Sequence, residues 1–152
     1  MKDLRIGRTR NLGLLVVAFF LSSASNAIGV GGLVVFGDSL SDTGNLFAAT
    51  GGAPPPPYFN GRFSNGPIWV DTLTQSLSIT VDNYAVGGAQ TGTGNVNDGS
   101  LPGGPFGGLQ NQIADYLSGG TIDTGKTHVI WAGGNNFTSI PADVPAAIQQ
   151  GV

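Results

Sequence analysis

Three short clusters along the chain carry residue types that can act on an acyl group. Gly37-Asp38-Ser39-Leu40 sets a hydroxyl directly after an apolar run, Gly87-Gly88 presents backbone N–H groups with no side chains in the way, and Asn135 adds a carboxamide behind two further glycines. A serine that attacks an ester carbonyl needs a rigid support, and donors aimed at the oxygen that gains negative charge. Backbone N–H groups and an asparagine amide are donors of that kind. Taken singly, each glycine reads as a turn residue, each asparagine as a cap or turn former, and Ser39 and Ser41 as helix caps. Their shared position behind apolar strands gives the set its meaning.

Those strands are legible from hydropathy. Leu33, Val34, Val35 and Phe36 show no polar alternation, which suits a strand covered on both faces. Gly37 lets the chain turn sharply, and the Asp/Ser/Thr-rich stretch behind it predicts a helix N-cap and first turn, with its positive end beside Ser39. Ser78 to Val86 reads as a second strand running into Gly87-Gly88, and Thr127 to Ala132 as a third running into Gly133-Gly134-Asn135-Asn136. Between them, residues 51–66 hold four consecutive prolines, which predicts a stiff extended loop rather than a ligand for a proline-recognition module. Pro67 fits a first helical position, followed by Ile68, Trp69, Leu73 and Leu77 at helical spacing. Residues 90–108 form a glycine-rich loop. Leu109, Ile113, Tyr116 and Leu117 then mark a second amphipathic helix, closed by Gly119-Gly120, and Ser139 to Asp143 opens a further helical segment. Strands alternating with helices predict an α/β fold with a parallel sheet and right-handed crossovers. Ligands of such sheets sit outside the carboxyl ends of the strands, where the three clusters should converge.

The ends and the composition narrow the field. Lys2, Arg5, Arg8 and Arg10 precede the apolar run Leu12 to Leu21, and Ser22 to Ala27 supplies small residues. This pattern predicts a signal peptide over 1–27, export to the periplasm or medium, and no stable membrane span, since ten apolar residues are too few to cross a bilayer. Behind it only Arg62 and Lys126 are positive, against eight aspartates and no glutamate. Without a basic surface, nucleic acid is not an expected partner and neither is an anionic membrane. The chain has no cysteine and a single histidine, so thiolate and histidine-cluster metal sites are excluded and no cofactor is expected. A nucleotide-binding reading fails on context. Gly92-Thr93-Gly94 lacks the full fingerprint and a following helix, and Gly29 to Gly32 precedes its strand instead of following it.

Four stretches together resemble the GDSL esterases and lipases of the SGNH hydrolase superfamily: GDSLSDTGN at 37–45, GRFSNGPIWVDTL at 61–73, NYAVGGAQT at 83–91 and WAGGNNF at 131–137. The resemblance implies a three-layer α/β/α, flavodoxin-like fold and an ester or lipid substrate. It implies Ser39 as nucleophile, with its own N–H in the oxyanion hole. Gly88 would supply a second N–H, with Gly87 the alternative placement, and Asn135 the side-chain donor. The chain departs from the family pattern in two places. The third block usually reads Gly-x-Asn-Asp, and here Asn136 stands in place of the carboxylate. Asn136-Phe137-Thr138 also spells a glycosylation sequon, read as chance. The family's histidine, with an aspartate three residues before it, has no counterpart up to Val152. His128 does not replace it: five residues before Gly133, at about 3.3 Å each, place it on the order of 15 Å from the catalytic edge.

A serine without a base stays protonated and weak. Residues 28–152 are therefore expected to be the N-terminal portion of a hydrolase domain that depends on a missing C-terminal segment. The competing expectation is a non-catalytic acyl- or carbohydrate-binding protein on the same scaffold.

Overall fold

The computed structural model describes residues 31–139. The signal peptide expected over 1–27 lies outside them, as does the helical segment expected beyond Ser139.

Strand β1 (Gly32–Gly37) is buried along its whole length. Strands β2 (Thr80–Asn83) and β3 (Thr127–Trp131) flank it in the order β2-β1-β3, both parallel to it. An all-apolar strand suits this central place because both of its faces are covered. Leu33 and Val35 pack with Val70 and Ala85 on one face, joined by Ile68, Trp69, Ile79, Val81 and Val129. Val34 and Phe36 pack on the other with Leu109, joined by Tyr84, Ile113, Tyr116 and Ala132. Phe36 stacks on Tyr84 with ring centres 5.5 Å apart and meets the edge of Tyr116 at 5.6 Å. Helix α2 (Trp69–Leu77) therefore covers the first face and α3 (Leu109–Ser118) the second. These are the three layers, α/β/α, of a flavodoxin-like sheet. With β1 lying between its two successors, the chain reverses direction at the β1/β3 boundary, where such sheets open a crevice at the carboxyl ends of the strands.

Several boundaries differ from the expectation, each for a local reason. No helix starts beside Ser39. The N–H groups of Ser41 and Asp42 both return to the Asp38 carbonyl at 3.0 Å in one tight turn, and α1 (Asn45–Thr50) begins only after Gly44. Pro67 lies outside α2, because Ile68 is the cap and its N–H bonds the Asp71 carboxylate at 3.0 Å. Leu73 and Leu77 are exposed, since α2 meets the sheet through its first turn, where Val70 is fully buried. Strand β2 stops at Asn83, yet the extended chain runs on: Tyr84 and Val86 donate to the Val35 and Gly37 carbonyls at 2.8 and 3.1 Å. Helix α4 (Asn136–Ser139) starts ahead of the expected position. Among the described residues β3 is an outer strand, with Ile130 and Trp131 59% and 52% exposed. No helix of the described residues is long and apolar enough to cross a membrane.

The last residue of β1 has no room for a side chain. A Cβ on Gly37 would stand 2.2 Å from the Trp131 carbonyl oxygen, which is backbone and cannot rotate away. Gly37→Ala is expected to lower stability by about 1–3 kcal/mol through forced separation of β1 and β3, read as a lower urea midpoint.

Candidate active site

Gly37 is held from two layers. The Gln112 side chain, pointing up from α3, accepts the Gly37 N–H at 2.8 Å and donates to the Gly37 carbonyl at 2.9 Å. A glutamine on the apolar face of a helix was the signal for this pairing, and sequence reasoning passed over it. Asp38 follows, its N–H on the Trp131 carbonyl at 3.3 Å. Ser39 then lies half-buried in the turn, and its hydroxyl bonds to no described residue. Ser41 is fully buried instead and accepts the Trp69 indole N–H at 3.2 Å, which makes it structural.

Asp42 is the densest node. Its side chain is fully buried and accepts four backbone N–H groups. One oxygen takes Gly44 and Asn45 at 2.7 and 2.6 Å, and the other takes Leu46 and Gly87 at 3.1 and 2.8 Å. The first three donors start α1, where a carboxylate is favoured by the positive helix end. The fourth belongs to the loop behind β2. One carboxylate thus joins the Ser39 turn to the Gly87-Gly88 pair. Amides reinforce the junction: Asn83 donates to the Ser41 carbonyl and the Thr43 hydroxyl, and Asn45 to the Asn83 and Ala85 carbonyls.

The two glycines are not equivalent. The Gly87 N–H is taken by Asp42, whereas the buried Gly88 N–H bonds to no described residue. Gly88 has φ 84°, and a Cβ there would stand 2.3 Å from the Asn97 side chain, so glycine is required on both counts.

The loop behind β3 closes the arrangement. Asn135 is half-buried and its carboxamide donates to the Ala89 carbonyl at 3.0 Å, next to Gly88. Asn136 is buried, accepts the Thr91 N–H at 3.0 Å and donates to the Thr91 hydroxyl at 2.8 Å. The amide that replaces the expected carboxylate keeps that side chain fully bonded, because the threonine oxygen can accept as well as donate. The turn after β1, the glycine pair after β2 and the asparagines after β3 are in this way stitched to one another.

His128 takes no part. It is exposed, its Nε2 lies 2.8 Å from the Tyr116 hydroxyl, and it sits opposite Val34, well back from Gly37 in the register. An open cavity of about 380 Å³ lies elsewhere, lined by Thr93, Phe106, Asn111 and Asp115 among others and by none of the three candidates. The described residues hold no group of three metal-ligating side chains. Two carboxylates near the site are shifted in opposite directions. Burial pushes the Asp38 carboxyl above its ordinary value, opposed by its bond from the Leu40 N–H. The two-pronged Arg62 contact, at 2.7 and 3.2 Å, holds Asp71 below the ordinary range.

The family model described as GDSL-like Lipase/Acylhydrolase matches residues 33–151. The chain is 33% identical over 129 residues to the phosphatidylcholine-sterol acyltransferase of Aeromonas hydrophila, covering 83% of this chain and 38% of that protein. It is 31% identical over 154 residues to Lipase 1 of Photorhabdus luminescens, covering 89% and 20%. Over 59 residues it is 46% identical to the thermolabile hemolysin of Vibrio parahaemolyticus, covering 38% and 14%. The chain spans less than half the length of each of these relatives.

Two outcomes follow from the site's carboxylates. Asp42→Asn turns one acceptor oxygen into a donor facing N–H groups, and is expected to cost about 3 kcal/mol in thermal or urea unfolding. Asp38→Asn acts with pH. Because the folded Asp38 binds its proton more tightly than the unfolded one, its burial penalty is absent in acid and complete once pH exceeds the folded value. The variant should therefore gain unfolding free energy over the parent at pH 7 and converge with it as pH falls below the ordinary carboxylate range.

Proposed function

The chain belongs to the GDSL-like lipase/acylhydrolase family of ester hydrolases, and on that premise we propose that it is an exported serine hydrolase of carboxylic esters with Ser39 as nucleophile. The observation that carries the reading is the difference between the two glycines. Gly87 is committed to Asp42, while the Gly88 N–H bonds to no described residue, beside the loop that Asn135 grips through Ala89. Ser39 attacks the ester carbonyl. The carbonyl oxygen gains its negative charge against the N–H groups of Ser39 and Gly88 and the carboxamide of Asn135. The Ser39 hydroxyl proton goes to the departing alkoxide, which leaves as the alcohol. Water then cleaves the acyl-serine, its hydroxyl going to the carboxylic acid and its proton back to Ser39.

Fixed donors suit this task because they need no rearrangement when charge develops. Gln112 and Asp42 supply that fixity, one on the strand end and one on the turn. His128 is not the base in this scheme, being tied to Tyr116 on the far part of β3. Residues 28–152 act as the N-terminal part of the hydrolase domain, behind the signal peptide at 1–27. The substrate is an ester or lipid of small-molecule kind, a class that fits the names of the lipase and acyltransferase relatives.

Covalent labelling by a fluorophosphonate ester tests the assignment. Intact mass should rise by one phosphonyl group, peptide mapping should place it on Ser39, and Ser39→Ala should remain unlabelled. Labelling that persists in Ser39→Ala rules the assignment out. Asn135→Ala should slow labelling and ester turnover by about 10²–10³-fold, the usual loss for one oxyanion donor.

A further inference from the structure

The Gly88 N–H belongs to the peptide unit whose carbonyl is that of Gly87, and that carbonyl receives two side-chain donors. The Asn95 and Asn97 carboxamides each donate to it at 3.0 Å. We infer that Asn95 and Asn97 are positioning residues for the oxyanion hole, which hold and polarise the Gly87–Gly88 peptide so that its N–H faces the developing charge. This inference rests on the reading of Gly88 as an oxyanion donor.

The physical basis is amide resonance. Nitrogen and oxygen of one peptide share electron density, so two donors on the oxygen draw density from the nitrogen and strengthen the N–H as a donor. The same two bonds fix the orientation of the peptide plane. Both asparagines are themselves held. Asn95 is buried; its side-chain oxygen accepts the Asn97 N–H at 2.9 Å, its amide also reaches the Gly107 carbonyl at 3.3 Å, and its own N–H bonds Asp98 at 3.0 Å. The Val96 N–H binds the Gly88 carbonyl at 3.0 Å from the other end of the glycine. Residues 95–98 thus grip Gly88 from both sides, and a Cβ on Gly88 would collide with both asparagine side chains at 2.3 and 2.5 Å. Neutral amides suit the role, because they polarise the carbonyl without adding a charge that titrates.

The test compares Asn97→Asp, which keeps the shape but cannot donate, and Asn97→Leu with the parent chain. The readouts are the Gly88 amide resonance in a ¹⁵N-labelled sample, the melting temperature, and kcat and KM for a p-nitrophenyl ester, with Ser39→Ala measured alongside. The expected result is an upfield move of the Gly88 amide proton, kcat lower by about tenfold and KM within about twofold, a smaller loss than removal of a donor outright. An unmoved Gly88 amide in a folded variant overturns the clamp whatever the turnover. A moved amide with unchanged Ser39-dependent kcat overturns the positioning role. Ester turnover that survives Ser39→Ala counts against the serine reading instead, and the Gly88 amide then still decides the clamp. Should Asn97→Leu not fold, Asn97→Asp carries the same readouts.

Discussion

Everything around the candidate site depends on a buried carboxylate that no cation among the described residues bonds. Asp42 is fully buried, and a charge in that position is costly unless its lone pairs are filled. Four backbone N–H groups at 2.6 to 3.1 Å fill them. The requirement runs both ways: the carboxylate needs its donors, and the Leu46 and Gly87 N–H groups are buried and need an acceptor. The start of α1 and the loop behind β2 therefore cannot move independently. The exchange also sorts the glycine pair, since Gly87 has its N–H engaged and the Gly88 N–H meets no acceptor among the described residues.

Beyond Asp42, the connections are made chiefly by amides. Gln112 ties α3 to Gly37, Asn83 and Asn45 tie the Ser39 turn to the end of β2, Asn135 and Asn136 tie the loop behind β3 to residues 89–91, and Asn95 and Asn97 hold the Gly87 carbonyl. An amide offers a donor and an acceptor in one plane, as a peptide does, so it can substitute for a missing strand partner. These contacts carry no net charge and are insensitive to pH and salt. The ion pairs of the described residues, Arg62–Asp71, Lys126–Asp82 and Lys126–Asp123, lie outside this set.

β1 was legible as an apolar run that stops at glycine, and β2 and β3 as part-apolar stretches that lead towards glycine pairs. The parallel sheet followed from the alternation of strands and helices, α3 from the helical spacing of its apolar residues, and the three layers from the family resemblance. The turn after β1 was harder: Ser39-Leu40-Ser41-Asp42-Thr43 has cap-forming composition, but the carboxylate that caps α1 stands ahead of the helix and reaches it across Gly44. Propensity marks a cap nearby without saying which residues it crosses. In α2 the spacing of Ile68, Trp69, Leu73 and Leu77 marks a helix but does not reveal how far it overlaps its sheet, and Leu73 and Leu77 lie beyond the overlap. Ser39, Gly88 and Asn135 stood out by position and by family pattern. Asp42, Gln112, Asn95 and Asn97 did not: Gln112 and Asp42 reach partners 75 and 45 residues away, and Asn95 and Asn97 reach Gly87 across a loop, and none of these pairings leaves a periodic trace.

The strand order has a kinetic consequence. β1 is made first yet lies in the middle, so its burial waits for chain that follows much later; the Gly37–Gln112 pair alone spans 75 residues. Closing such long loops costs entropy before any contact rewards it, and topologies of this kind fold more slowly than those built from neighbours. The first strand therefore stays an uncovered greasy segment during synthesis. The Ser39 turn, shaped by Trp69 of α2, Asn83 of β2 and Trp131 of β3, belongs among the last parts to take form.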